Sequence, residues 1–187
     1  MVENGIDQAE RFPPAMSGAG ADGPAPEAVE WLDPAQQRAW RGLQVMQARL
    51  MGALASQLAA ESDLSLADYV VLVVLTESPY GALRTFEIAR LLGWERSRVS
   101  HHIARMASRG LVTKRQCAAD RRGSFVVVTD EGRRAIESAA PGHVATVRKY
   151  FIDPLTDEQL DTIGDVSGRV VEAIDRAEQL DGEGELS

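Results

Sequence analysis

Arginine, serine and histidine side chains alternate with apolar residues between positions 95 and 109, a combination suited to binding a polyanion. Val99, Ile103 and Met106 recur at i, i+4 and i+7, which predicts one buried face of a helix. Most other positions carry hydrogen-bond donors, and no carboxylate follows Glu95 within the helix. Guanidinium groups pair with guanine O6 and N7, while Ser and His suit phosphates or base acceptors. The outward set predicted to bind nucleic acid is Arg96, Ser97, Arg98, Ser100, His101, His102 and Arg105.

The N-terminal residues of a helix that reads DNA enter the major groove deepest. We therefore expect Ser97, Arg98 and His101 to reach base edges. The alternative for the two histidines is that they are ordinary exposed helix residues. The residues expected to hold phosphates are Arg96, Ser100, His102 and Arg105.

Two adjacent arginines stand in a polar loop, residues 117–124, between two predicted strands. Arg121 and Arg122 at the tip of a β-hairpin suit the narrow, electronegative minor groove of DNA. Asp120 would repel DNA, so we expect it to orient Arg122 through a side-chain pair. These three residues form the second part of the predicted interface.

The charge of the chain is distributed unevenly. The net charge of −8 and the pI of about 4.9, taken alone, argue against nucleic acid as a partner. Residues 84–122, however, contain ten basic and three acidic residues, a net charge of +7, whereas the rest of the chain contains ten basic and 25 acidic residues, a net charge of −15. Polyanion binding requires such a local positive field. A charge run is usually a solvated surface, but this one coincides with the predicted helix and hairpin.

The predicted elements around these residues follow the order of a winged helix-turn-helix. A short helix is predicted at Thr85–Leu92, and a second runs from Glu95 or Arg96 to Arg109; a glycine follows each of them. β-Branched residues and a polar loop predict strands at Leu111–Gln116 and Phe125–Thr129.

Longer helices flank this unit. Asp33-Pro34 starts a helix that extends to about Glu61 and carries an apolar stripe, so it needs a partner, and a second subunit is a natural candidate. Further helices are predicted at Leu66–Glu77, from Thr129 to about Tyr150 with Pro141-Gly142 as a potential kink or break, and after the capping box at residues 156–159.

The predicted fold is therefore mainly α with a small β-hairpin wing, a winged helix-turn-helix flanked by long dimerisation helices. The predicted segments are a flexible N-terminal extension (1–30), an N-terminal dimerisation helix (31–64), a DNA-binding lobe (65–130), C-terminal dimerisation helices (131–180) and an acidic tail (181–187).

Several segments resemble the multiple-antibiotic-resistance regulator (MarR) family. The most specific match is Asp-Arg-Arg-Gly at Asp120–Gly123 followed by Thr-Asp-Glu-Gly at Thr129–Gly132, and the resemblance covers about Asp33 to Ala177. The other matching segments are Leu66–Leu75, Ile88–Leu92, Val99–Ile103 and Arg109–Val112.

The resemblance implies an obligate homodimer on palindromic double-stranded DNA, with the first and last two helices at the dimer interface. It also implies a small-molecule inducer, aromatic or phenolic, bound between the DNA-binding lobe and the dimer helices. Trp40 and Tyr69 are candidates to line that pocket, although an aromatic on a helix is more often plain core. The prediction is a cytoplasmic, ligand-responsive repressor of transcription.

Other functions have weaker support. A protein-binding winged helix would share the fold but would not need the outward Arg and His side chains. Cys117, the single cysteine, is the candidate for a redox regulator, but oxidation sensing often needs a partner thiol.

Neither an enzyme nor a membrane protein is predicted. Potential metal ligands are few, so no metal site or other cofactor is expected. The chain shows no Gly-rich phosphate loop, no nucleophile signature and no paired carboxylates at catalytic spacing, so no catalytic residue is expected. No apolar run approaches the roughly 20 residues that span a bilayer, and no secretory signal is visible.

Overall fold

The computed structural model describes the backbone of residues 30–117 and 120–184 and the side chains of residues 30–115 and 124–180. The predicted N-terminal extension, except for residue 30, and the side chains of Cys117, Asp120, Arg121 and Arg122 lie outside the described residues, as do the side chains of the acidic tail. Within the described part, no helix combines the length and apolar character needed to cross a membrane.

The structure confirms a mainly helical fold with a small antiparallel sheet. The described elements are α1 (Pro34–Glu61), α2 (Leu66–Glu77), β1 (Ala82–Arg84), α3 (Thr85–Leu92), α4 (Arg96–Ser108), β2 (Val112–Cys117), β3 (Asp120–Val128), α5 (Asp130–Val147) and α6 (Asp157–Gly184). A π-helical turn, Arg148–Ile152, follows α5. Pro141 lies inside α5, so the break considered at that residue does not occur.

The chain divides into two units, Met1–Trp40 and Arg41–Ser187. The described part of the first unit contains the start of α1, where Asp33 Oδ1 accepts hydrogen bonds from the backbone N–H groups of Ala35 at 2.7 Å and Gln36 at 2.9 Å. Gln36 Oε1 accepts in return from the Asp33 N–H at 2.8 Å. These reciprocal bonds form the capping box that fixes the first turn of the helix.

The core of the second unit is built around α2, whose apolar residues point to several sides. Val71, Leu72 and Leu75 are fully buried, because the helix lies among α3, α5 and the sheet. The core residues contributed by other elements include Leu58, Ile88, Val99, Ile103, Met106, Val112, Val126 and Ile136. This core holds the helix-turn-helix on one side of α2.

The three strands form a sheet in the order β1-β3-β2. Val112 pairs with Val128 and Lys114 with Val126, which makes β2 and β3 the predicted hairpin. Strand β3 begins at Asp120, five residues before the predicted strand, and β1 was not predicted at all. Neither segment shows the alternation of apolar and polar residues by which a strand is predicted, because their pairing involves only the backbone.

Helix α5 begins in close contact with the loop that follows α4. The Thr129 hydroxyl accepts from the Gly132 N–H at 3.0 Å and donates to the carbonyls of Gly110 and Leu111, at 2.6 Å and 3.0 Å. A Cβ on Gly132 would lie 2.1 Å from the Leu111 carbonyl oxygen, so only glycine fits at this position. These contacts explain the threonine and the glycine of the Thr-Asp-Glu-Gly motif.

Candidate nucleic-acid interface

Helix α4 turns its predicted apolar face to the core, since Val99, Ile103 and Met106 are fully buried. The chain enters the helix through Gly93, which has a left-handed φ of 61° and ends α3. The Trp94 N–H then donates to the Ala89 carbonyl at 2.9 Å. The tight turn fixes α4 against α3, as a helix-turn-helix requires.

Six of the seven predicted side chains on α4 are exposed. They are Arg96, Ser97, Arg98, Ser100, His101 and Arg105. At about 100° per residue, Ser97, His101 and Ala104 lie opposite the buried face, whereas Arg98 and Arg105 share one flank. The centre of the exposed face therefore has mostly short side chains, which allow another surface to approach the helix backbone closely, with longer cations beside it.

The other flank of α4 carries Arg96 and Ser100, and the Ser100 hydroxyl donates to the Arg96 carbonyl at 2.9 Å. Arg96 and Arg98 stand in the first turn, which contains no acidic residue. Cations at a helix N-terminus oppose the helix dipole and weaken the helix. Their placement therefore does not stabilise the helix.

The prediction that His102 faces outward is wrong, because the residue is only 6% exposed. It stands three residues after Val99 and four before Met106, at the border of the buried face. Its Nε2 lies 3.1 Å from Asp68 Oδ1, outside hydrogen-bond geometry, and its Nδ1 lies 3.0 Å from Arg105 Nη2. A side chain held there does not reach a DNA phosphate.

Asp68 is a buried charge whose role the sequence did not reveal. Its Oδ2 accepts from Arg109 Nη1 at 2.7 Å, from the Ser65 N–H at 3.0 Å and from the Ser65 hydroxyl at 2.8 Å. Burial by itself raises the pKa of Asp68, but the hydrogen bonds from Arg109 and Ser65 outweigh it and hold the pKa below its usual value. Arg109 also donates to the Asp63 carbonyl. The cluster joins the start of α2 to the end of α4.

The contacts of His102 define its tautomer. A guanidinium can only donate, so His102 Nδ1 accepts from Arg105, and the neutral ring carries its proton on Nε2, toward Asp68. Burial lowers the pKa of His102; Asp68 acts in the opposite direction, and the positive charges of Arg105 and Arg98 add to the lowering.

Trp94, in the turn before α4, contacts two residues of that helix. The Arg98 guanidinium carbon lies 4.3 Å from the centre of the Trp94 ring, within cation–π range. The His102 ring meets the same indole at 90°, with 5.8 Å between ring centres. The indole thus lies between an exposed arginine and a buried histidine.

The hairpin of β2 and β3 places Asp120, Arg121 and Arg122, the second part of the predicted interface, near its tip. Gln116 pairs with Ser124 and Cys117 with Asp120, so a bulge separates two successive pairs and takes up residues 121–123 of β3. The backbone of Asp120, Arg121 and Arg122 belongs to β3, whereas their side chains lie outside the described residues. Their contacts with DNA stay a prediction.

The two predicted pocket aromatics have different surroundings. Tyr69 is buried on α2, and its ring lies 4.1 Å from that of His143 on α5. Burial raises the pKa of Tyr69 and lowers that of His143. Trp40 is 53% exposed on α1. Their role in a pocket stays a prediction.

A half-open groove that the sequence did not suggest lies between α1 and the turn after α5. Its volume is about 420 Å³. The lining includes Met46, Arg49, Leu50, Tyr150, Phe151 and Leu155. Most of the lining side chains are apolar, and Arg49 and Tyr150 add one guanidinium and one phenol.

Comparisons with known proteins agree on one family. Residues 62–123 match the model of the MarR family. No curated protein sequence is significantly similar to the chain. The structure of Sco3205 from Streptomyces coelicolor, a MarR family transcriptional regulator in complex with DNA, is 37% identical, with a TM-score of 0.74 over 77% of this chain and 94% of that one.

Two further solved structures have the same fold. AbsC, another MarR family transcriptional regulator from S. coelicolor, is 35% identical, with a TM-score of 0.73 over 78% of this chain and 98% of that one. CouR from Rhodococcus jostii RHA1, bound to p-coumaroyl-CoA, is 24% identical, with a TM-score of 0.62 over 69% and 88% of the two chains. The fold, the family match and the identity to Sco3205 and AbsC together establish that this chain belongs to the MarR family of transcriptional regulators.

Proposed function

We propose that the chain is a cytoplasmic, ligand-responsive repressor that binds a pseudo-palindromic double-stranded DNA operator as a homodimer. The observation that carries this proposal is the exposed face of α4, which has donors but no carboxylate and lies within a segment of net charge +7 on a chain of net charge −8. That Sco3205, at 37% identity, forms a complex with DNA supports the same role here.

The shape of the α4 surface suits the major groove. Ser97, His101 and Ala104 lie where the helix faces away from the core, and the short side chains of Ser97 and Ala104 let the helix backbone approach the bases. Arg98, on the flank, is long enough to pair with guanine O6 and N7 from that position. Arg96 and Arg105 would hold phosphates on opposite sides of the groove, and Arg121 and Arg122 would reach the adjacent minor groove.

Uncovered apolar side chains support the homodimer. Of the α6 side chains between 157 and 180, none is buried, and Val166, Val170 and Ile174 recur every four residues on it with more than half their surface exposed. Leu43 and Met46 are similarly exposed on α1. A monomer rarely leaves such stripes in water, and a second copy would cover them.

Dimerisation would place two copies of α4 about 34 Å apart, in successive major grooves. Light scattering on the purified chain measures the oligomeric state directly. Val170→Glu introduces a charge into the α6 stripe and should yield monomers that bind operator DNA weakly. A wild-type monomer would refute the dimer.

Unpartnered polar atoms near Tyr69 support a small-molecule effector. His143 Nδ1, in the ring stacked on Tyr69, and Gln57 Oε1 on α1 are buried without hydrogen-bond partners among the described residues. Leaving such atoms unpaired costs free energy, which a polar ligand would recover. We therefore propose that an aromatic or phenolic inducer binds beside Tyr69, with Trp40 as a further candidate, and favours a dimer geometry that does not fit DNA.

The decisive experiment is selection of duplexes from a randomised pool by the wild-type protein, followed by titrations at several salt concentrations. Arg98→Ala should weaken binding to the selected duplex by about 1–3 kcal/mol and relax sequence preference. Arg122→Ala should weaken binding to all duplexes and reduce the salt slope. Arg148→Ala is the matched control, since Arg148 is an exposed arginine at the far end of α5 paired with Asp153 at 2.9 Å.

The outcomes separate the rival functions. Wild-type binding by both Arg98→Ala and Arg122→Ala would refute the assigned surface. A protein-binding winged helix would select no duplex and would keep its partner after charge reversal at Arg98. Release of DNA by an oxidant that disappears in Cys117→Ser would support the thiol-based alternative instead.

A further inference from the structure

Trp94 occupies a position that links the core to the proposed DNA-reading face. One face of its indole lies under the Arg98 guanidinium, at 4.3 Å from ring centre to guanidinium carbon. The buried His102 ring packs against it edge to face at 5.8 Å. The backbone of Trp94 is held by its hydrogen bond to Ala89. The core therefore holds the indole in place, and the indole in turn supports the exposed guanidinium of Arg98.

Contact with an aromatic ring restricts the rotamers of a long side chain such as arginine. A free arginine samples many rotamers, and it loses that freedom when it binds. An arginine whose guanidinium is held over an aromatic ring has already lost part of that freedom. The ring accepts no conventional hydrogen bond from the guanidinium, so the N–H donors remain available for pairing. Arg98 on Trp94 is therefore ordered before it meets a partner.

The support beneath Trp94 comes from two helices. His102 Nε2 faces Asp68 on α2 at 3.1 Å, and His102 Nδ1 accepts from Arg105 on α4 at 3.0 Å. The hydrogen bond to Arg105 and the facing carboxylate of Asp68 restrain the imidazole beside the indole. The orientation of Arg98 consequently depends on the buried His102 and Asp68 and on Arg105, which lies on the same exposed flank of α4 as Arg98.

We propose that Trp94 is a specificity-determining positioning residue, which holds Arg98 in the orientation that reads a base edge. This inference rests on the proposed DNA-binding function and adds to it a residue outside the reading helix. The competing explanation is that Trp94 only fills space at the edge of the core, where its ring also packs. The two explanations differ in how they affect specific and nonspecific binding.

The test compares Trp94→Leu and Trp94→Phe with wild type on two probes: a duplex selected by the wild-type protein from a randomised pool, and a mixed-sequence duplex of the same length. Trp94→Leu should weaken binding to the selected duplex about tenfold and change binding to the mixed-sequence duplex less than about twofold. Trp94→Phe, which keeps a smaller ring, should fall between Trp94→Leu and wild type. In the Arg98→Ala background, Trp94→Leu should have no further effect.

Each contrary outcome has a distinct meaning. Equal loss on both duplexes with a lower melting temperature, or additive effects of the Trp94 and Arg98 substitutions, would overturn the positioning role and leave the DNA-binding function intact. If Trp94→Leu is too unstable to assay, Trp94→Phe together with the double-mutant cycle decides the question. Failure of the wild-type protein to enrich any duplex would overturn the proposed function, and the positioning role with it.

Discussion

Replacing Asp68 with asparagine should destabilise the protein strongly, although the side chain keeps its shape. The wild-type carboxylate is only 4% exposed and accepts from Arg109 at 2.7 Å and from Ser65 at 2.8 Å and 3.0 Å. The oxygen of an asparagine could still face Ser65 and Arg109. Its NH₂ group would then face His102 Nε2, which carries the ring proton because Arg105 donates to Nδ1. Two donors would meet in a buried place.

The size of the loss follows from these contacts. Asp68 accepts three hydrogen bonds, and a hydrogen bond to a charged group contributes about 1 kcal/mol more than one between neutral groups. The substitution also replaces the carboxylate that faces His102 Nε2 with a donor. Arg109 is 41% exposed, so water can replace part of what it loses. We therefore expect Asp68→Asn to lower the free energy of unfolding by about 2–3 kcal/mol.

Urea unfolding followed by circular dichroism measures this difference, at one fixed protein concentration because the proposed dimer would unfold in a concentration-dependent way. Glu131→Gln is the matched control, since Glu131 pairs with Arg134 at the same 2.7 Å but is 60% exposed. This control should unfold almost like wild type. If Asp68→Asn and Glu131→Gln lower the urea midpoint equally, the buried hydrogen bonds of Asp68 do not stabilise the protein more than an exposed ion pair does.

Three further predictions follow from the close contacts and pKa shifts. Gly132→Ala should lower the melting temperature more than Gly93→Ala, because its Cβ would lie 2.1 Å from the Leu111 carbonyl oxygen, whereas at Gly93 only a φ of 61° is strained, at about 1–2 kcal/mol. The free energy of unfolding should fall as the pH drops below the 6.5 of an unperturbed histidine, since burial lowers the pKa values of His102 and His143 and the unfolded chain takes up protons first. His102→Gln should flatten this dependence in urea titrations at about pH 7.5 and 5.5, and a steeper slope would contradict it.

The helices were predictable because their ends and faces have strong local causes. Asp33-Pro34 predicted the start of α1, and the glycines after α3 and α4 predicted the ends of these helices to within one residue. Strand β1 was not predicted because three residues are too few to show the alternating pattern of a strand. The start of β3 was not predicted because its polar residues do not indicate backbone pairing. Pro141 did not break α5: it lies on an exposed side, where water can bind the carbonyl that loses its partner.

The exposed face of α4 was also predictable, since it follows from the spacing of Val99, Ile103 and Met106. The burial of His102 was not predictable. A polar residue at the border of a helical face is buried only where a residue distant in sequence lies beside it. That residue is Asp68, 34 residues earlier, which also closes the capping box with Ser65 at the start of α2. Side chains that cooperate across such a separation become visible only when the fold brings them together.

Thr129 and Gly132 connect the start of α5 directly to the loop that follows α4. No flexible linker separates this helix from the loop at Gly110 and Leu111, so the two segments turn together. Helix α5 has 18 residues and is about 27 Å long. A displacement of about 2 Å at its far end therefore corresponds to a rotation of about 4° at the joint. A displacement of that size would also turn the loop at Gly110 and Leu111, which connects α4 to the hairpin.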